Sequence, residues 1–190
     1  SEFQQPLLDF YEAHPDFIRP ESRRNEIVSF VSRGLKDLSI SRSTFDWGVP
    51  LPFDEGHVAY VWADALIAYL TGIGYADPDR PGEFDAAWPM QYHFVGKDII
   101  RFHCVIWPAM LMAARMPITH TVFGHGFLLT KGEKMSKSKG NGLMPADLVK
   151  VFGVDAYRYY FMSDVQFGHD GSISLERMVQ VYNNELANTW

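Results

Sequence analysis

Apolar and polar positions follow two different periods along this chain, and the switches between them predict its elements. Gln4 to His14 reads as a short amphipathic helix, and Pro15 and Pro20 separate it from a second helix over Asn25 to Leu35. Ile27, Val28, Phe30 and Val31 form the apolar stripe of that second helix, and Gly34 stands near its end. Leu38 to Ile40 reads as a short strand. Trp47 to Pro52 is a proline-rich loop, and because proline cannot donate to a ladder it is excluded from a central strand.

The next stretch alternates. His57 to Trp62 is a β-branched and aromatic run that predicts a strand, and Ala63 to Leu70 predicts a helix ending at Gly72 and Gly74. Tyr92 to Val95 predicts a second, buried strand stopping at Gly96; Asp98 to Met116 predicts one long helix; Thr119 to Phe123 predicts a third strand. Strand, helix, strand, helix, strand is the pattern of an α/β layered domain with a parallel sheet, whose ligands sit beyond the carboxyl ends of the strands. Farther on, Asp147 to Phe152 and Asp155 to Met162 read as two short helices flanking Gly153. Tyr157, Tyr159, Tyr160 and Phe161 are aromatic enough to stack on RNA, but their acidic neighbours favour core packing.

Composition narrows the classes. A chain of 190 residues that is 47% hydrophobic and 15% aromatic can bury a core for one domain, or one and a fraction. No apolar run reaches the ~18 residues that span a bilayer and no secretory signal is read, so the expectation is a cytoplasmic protein with no membrane partner. A net charge of −6 excludes a generally basic nucleic-acid binder, while leaving room for a local basic patch. Cys104 is the single cysteine, which excludes an internal disulfide and a cysteine-based zinc site; it reads as a small buried hydrophobe. No metal-ligand set is apparent.

Two stripes and one loop carry the candidate chemistry. Trp62, Ala65, Leu66 and Tyr69 share one helix face at i, i+3, i+4, i+7, and Ile99, Phe102, His103 and Trp107 share another at i, i+3, i+4, i+8. Each stripe alone is a core-packing pattern. Facing one crevice, they form an aromatic slot for a long, flexible apolar side chain, in which a sulfur gains ~0.3–1.5 kcal/mol per ring contact. The loop is Lys134-Met135-Ser136-Lys137-Ser138-Lys139-Gly140-Asn141. With Lys131 it places four lysines within nine residues, interleaved with two serines and bounded by Gly132 and Gly140. Ammonium groups, hydroxyls and a turn-forming backbone are what a polyphosphate requires.

That loop resembles the K-M-S-K-S signature of class I aminoacyl-tRNA synthetases. In order and spacing, Tyr60-Val61-Trp62-Ala63-Asp64-Ala65, Phe94-Val95-Gly96-Lys97-Asp98-Ile99, Phe102-His103, Trp107 to Leu111 and Gly124-His125-Gly126 resemble the methionine-specific members of that family. So do Arg23 to Glu26 and Asn183 to Asn188, and the resemblance covers nearly the whole chain.

The resemblance implies the second half of a Rossmann-like parallel-sheet nucleotide-binding domain, then a helical stem-contact region and the start of an α-helical anticodon-binding domain. It implies a methionine site formed by Trp62, Ala65, Leu66, Tyr69, Asp98, Ile99, Phe102, His103 and Trp107, with Leu66 where some members have proline. It implies ATP contacts from Gly96, Asp98, His125, Gly126, Lys134, Ser136, Lys137 and Ser138, with Lys134 and Lys137 as the catalytic lysines. ATP with Mg²⁺, L-methionine and tRNA(Met) are the implied ligands. The domains then run 1–40 (end of a connecting insertion), 41–144 (catalytic half with the lysine loop), 145–173 (stem contact) and 174–190 (first anticodon-domain helix).

One departure qualifies that picture. The family's other signature, H-I-G-H or a close variant, does not occur here; His125 belongs to a later strand end and does not replace it. The chain opens without methionine and closes inside a helical pattern without a C-cap, so it reads as a fragment expected to be inactive alone. A non-catalytic half-domain that binds a partner is the alternative.

Overall fold

The computed structural model describes residues 1–130, 132–136, 140 and 142–189. The chain forms two compact units, residues 1–123 and 124–190.

In the first unit, α1 (Gln4–Ala13) is followed by the two-residue strand β1 (Ile18–Arg19) and α2 (Glu21–Ser32). Helix α2 begins four residues before the expected Asn25, because Pro20 enters it in extended conformation and Glu21 supplies the acidic first turn. Leu7, Tyr11, Phe17, Ile27 and Val31 pack with Val95, Ile100, Cys104 and Val122 into one buried core. Cys104 is fully buried there, as expected.

The parallel sheet is narrower than the alternation predicts. Strand β6 (Thr121–His125) lies at its centre, paired in parallel with β1 at Ile18↔Val122 and Arg19↔Phe123 and flanked on its other side by β5 (Tyr92–Gly96). The expected His57 to Trp62 strand does not join it. That segment forms β4 (Asp54–Ala59), which pairs antiparallel with β2 (Ser41–Arg42) and β3 (Pro50–Leu51) in a separate small sheet. Pro50 lies on an edge strand, where its missing N–H costs nothing. Leu38 to Ile40 is not a strand; β2 starts at Ser41, with the Ile40 carbonyl accepting from Tyr60 N–H at 2.8 Å just before it. Nor is β5 buried on both faces: His93 and Val95 point inward, whereas Tyr92 and Phe94 are 58% and 63% exposed.

Helix α3 (Val61–Thr71) leaves the end of β4, and the short α4 (Glu83–Ala87) follows. The expected helix over Asp98 to Met116 is present as one continuous helical segment from Lys97 to Ala113, but its hydrogen-bond pattern breaks into a 3₁₀ turn (Lys97–Ile99), a π-helical turn (Phe102–Ile106) and α5 (Trp107–Ala113). Pro108 explains the break, because it has no N–H to close an i→i−4 bond on the Cys104 carbonyl and its ring crowds that turn.

In the second unit, β7 (Leu128–Thr130) forms a hairpin with β8 (Glu133–Lys134) and pairs in parallel with β9 (Gly171–Ile173). Helices α6 (Pro145–Phe152), α7 (Val154–Asp164) and α8 (Leu175–Val181) follow, the last continuing as a π-helical stretch over Tyr182–Ala187. Ser174 caps α8 by accepting from Arg177 N–H. Leu148, Tyr160, Ile173, Met178 and Val181 form this unit's core. Among the described residues no helix is long and apolar enough to cross a membrane.

Candidate functional site

In the first unit the two aromatic stripes meet. Val61 to Thr71 winds into a helix because it lacks glycine and proline, and its Leu66 and Leu70 turn inward. This leaves Trp62 and Tyr69 half-buried and Ala65 exposed along one side. The π-helical turn supplies the facing groups. Trp62 stacks on Phe102 with centroids 3.8 Å apart and planes inclined by 14°. Tyr69 Oη and His103 Nε2 are 2.8 Å apart, and Tyr69 also packs on Trp107 at 6.2 Å.

The hydrogen on this pair can be assigned. His103 Nδ1 lies 3.0 Å from the Ile99 carbonyl, which only accepts, so Nδ1 carries the hydrogen. Burial pushes the His103 pKa down and outweighs the opposing pull of the Ile99 carbonyl, which keeps the ring neutral. Its Nε2 is therefore an acceptor, and Tyr69 O–H donates to it. Burial also raises the Tyr69 pKa and keeps the phenol protonated.

Leu66 and Trp107 belong to a buried cluster with Leu70, Trp88 and Leu111, so they form the floor of the slot rather than its mouth. The Trp107 indole N–H is buried and has no acceptor among the described residues. Ile99 is half-buried and contributes its carbonyl, while Gly96 and Asp98 lie where β5 gives way to the 3₁₀ turn, with Asp98 exposed. This is the carboxyl end of β5, the strand beside central β6.

Sequence reasoning missed His93 and Trp88. His93 is buried beneath Tyr69, with ring centroids 4.4 Å apart, and its Nε2 is 2.9 Å from Thr119 Oγ1. Burial, reinforced by nearby His103, lowers its pKa to about 4. Its inward register beside Val95 on the expected strand was the available signal. Trp88 packs edge-on against Trp107 at 6.1 Å and donates to the Pro117 carbonyl at 3.0 Å.

The second unit holds the other candidates. His125, Gly126, Phe127, Lys134, Phe161 and His169 are among the residues lining a cavity of about 470 Å³. Lys134 ends β8, with Nζ 3.8 Å from the centre of the Phe127 ring. Gly126 has a packing reason to be glycine: an added Cβ would lie 2.2 Å from the His169 backbone. Phe127 N–H donates to Asp170 Oδ1 at 2.8 Å, which ties the start of the hairpin to the turn before β9. Ser136 follows β8, whereas Lys137 and Ser138 lie outside the described residues.

Comparison with known proteins decides the family. The family described as tRNA synthetases class I (M) matches residues 1–190. This chain belongs to the class I methionyl-tRNA synthetase family. It is 57% identical over 188 residues to a methionine–tRNA ligase of Brucella suis, covering 99% of the chain and 36% of that relative. It is 54% identical over 190 residues to one of Streptomyces coelicolor, covering 100% of the chain and 35% of the relative. Mycobacterium tuberculosis methionyl-tRNA synthetase bound by methionyl-adenylate has a similar structure, with a TM-score of 0.89 and 53% identity over 99% of this chain and 37% of that one. The chain thus spans little more than a third of each of these three relatives.

Proposed function

We propose that this chain supplies the methionine slot and the lysine loop of an enzyme that activates L-methionine with ATP and transfers it to tRNA(Met). The observation that carries the reading is the Tyr69–His103 pair, set between Trp62 stacked on Phe102 and buried Trp107. An aliphatic slot needs no neutral, internally bonded Tyr–His pair. A thioether is polarizable, accepts weak hydrogen bonds and is attracted to ring edges, so this lining suits methionine better than leucine or isoleucine. A slot of this type separates substrates differing by about one group only ~10–200-fold.

The reaction asks the chain for two further services. The methionine carboxylate must be held in line with the α-phosphorus of ATP, and negative charge on departing pyrophosphate must be neutralised. Gly96 and Asp98 are assigned to the amino acid and ribose, His125 and Gly126 to the nucleotide. Lys134, Ser136, Lys137 and Ser138 are assigned to the phosphates, with Lys134 and Lys137 favouring the transition state over bound substrate. The described residues contain no group of three or more His, Cys, Asp or Glu that could hold a metal. Mg²⁺ would enter on the ATP phosphates, where it would supply charge neutralisation.

We read 1–40 as the end of a connecting insertion, 41–144 as the catalytic half, 145–173 as the stem-contact region and 174–190 as the first anticodon-domain helix. The exposed Tyr92 and Phe94 support a catalytic half, since a parallel sheet is ordinarily covered on both faces. With no H-I-G-H signature, the chain alone does not form methionyl adenylate.

Methionine-dependent exchange between ATP and pyrophosphate tests this reading. The expected result is no exchange by the chain alone, and exchange only with methionine when the amino-terminal portion of a relative is added. Exchange by the chain alone overturns the inactivity. No exchange in a folded mixture favours a non-catalytic binding module instead.

A further inference from the structure

We propose that His93, braced by Thr119, is a positioning residue for the thioether end of the slot: it holds the Tyr69 ring so that the phenol stays on His103 Nε2. This rests on the methionine-slot reading. The argument begins with the strand. β5 turns His93 and Val95 inward, and an aliphatic residue at either place would satisfy the core. An imidazole there is costly unless it is hydrogen-bonded, and Thr119, itself 1% exposed, provides the bond at 2.9 Å. Because a hydroxyl can donate or accept, either imidazole tautomer keeps the bond. The bond has a geometric consequence, because it fixes the plane of the His93 ring.

That plane is the closest ring surface to Tyr69, at 4.4 Å between centroids and inclined by 58°, against 5.6 Å for His103 and 6.2 Å for Trp107. Tyr69 is half-buried, so its ring is confined only where neighbours touch it. The hydroxyl tethers its far end to His103, and His93 blocks the swing about the remaining torsion. His93 and His103 are 5.8 Å apart between centroids, and two neutral imidazoles tolerate that spacing. His93 touches no substrate in this arrangement; it acts through Tyr69.

The test compares methionine with norleucine, which replaces the sulfur by a methylene, in the full-length polypeptide that carries these residues. Thr119→Val removes the bond while preserving shape, His93→Phe keeps a ring without the bond, and Thr119→Ser restores the hydroxyl. Thr119→Val and His93→Phe are expected to lower the methionine-to-norleucine ratio of kcat/KM by roughly 2- to 10-fold, the equivalent of one sulfur–aromatic contact. The loss should appear in KM, with Thr119→Ser close to wild type. The ¹⁵N shift of His103 Nε2 should move toward that of an acceptor nitrogen without its hydrogen-bond donor in Thr119→Val, while Nδ1 stays protonated on the Ile99 carbonyl. An unchanged ratio and unchanged shifts in folded variants overturn the proposal. If Thr119→Val and His93→Phe do not fold, His93→Gln decides: a lowered ratio supports positioning and a wild-type ratio overturns it. Absence of any methionine preference in the wild type is a different failure, that of the slot reading itself.

Discussion

The Tyr11 hydroxyl donates to the Cys104 carbonyl at 2.6 Å, the acceptor that Pro108 has no N–H to serve. A helix near the amino end of the chain thereby repairs a break in the segment that carries His103. Burial, and to a lesser degree Cys104, push the Tyr11 pKa far above its usual value, so the phenol remains a donor at every accessible pH.

Tyr11→Phe should cost about 1–3 kcal/mol, because a buried carbonyl loses its partner while the ring packing survives. Urea denaturation of the chain checks this: the midpoint should fall with an unchanged slope. A midpoint equal to wild type would show that the carbonyl has found another donor.

Tyr69→Phe should weaken methionine use without much loss of stability. The pair is only half-buried at Tyr69, so losing its hydroxyl costs about 1 kcal/mol in folding. His103 would then present an unpaired Nε2 to the slot. In the exchange-competent enzyme the expected result is a several-fold rise in KM for methionine with kcat little changed, read from initial rates at saturating ATP. A change confined to kcat would place Tyr69 in the chemistry rather than in recognition.

Much of this arrangement is legible in the sequence. Helical spacing brought Trp62, Tyr69, His103 and Trp107 into consideration because such stripes report which side chains share a face. What spacing could not report is which of them the core absorbs: Leu66 and Trp107 sit in the floor, whereas Ala65 is exposed. Strand pairing was less legible still. The His57 to Trp62 run is β-branched and aromatic enough to suggest a parallel strand, yet Tyr60 and Trp62 fall beyond β4, and only its partners Ser41, Arg42 and Pro50 reveal an antiparallel sheet. The break at Pro108 could have been anticipated from proline's missing donor. His93 shares the inward register of Val95, but register alone does not separate a polar residue that serves a site from one that the core absorbs.

Gly126→Ala tests how tightly the second unit is built around the His125-Gly126 turn. A Cβ there would lie 2.2 Å from both the carbon and the oxygen of the His169 carbonyl, and neither belongs to a flexible side chain. Backbone must move, at a cost of about 1–3 kcal/mol or more. Hydrogen exchange should show loss of protection in β7 and β9, whose ladder includes Leu128↔Gly171 and Leu129↔Ser172. Unaltered protection would mean that the turn relaxes freely, and that packing does not explain the glycine.

Acid should expose the buried imidazoles. His93 has its folded pKa lowered to about 4 and His103 is shifted in the same direction, against an ordinary value near 6.5 for an exposed histidine. A depressed histidine binds its proton more readily when unfolded, so the unfolded state takes up protons first as pH falls. Stability is therefore complete above about pH 6.5, declines as pH drops through that value and keeps declining until about pH 4. For His93 the loss integrates to no more than about 3 kcal/mol. Carboxylates titrate in the lower part of the same window, so the informative quantity is the difference between wild type and His93→Phe. Denaturation midpoints measured from pH 7.5 to 4.5 should converge as pH falls, with the variant less stable at neutral pH and less sensitive to acid. Parallel curves would show that His93 has the same pKa in the folded and unfolded protein, and that burial beneath Tyr69 does not depress it.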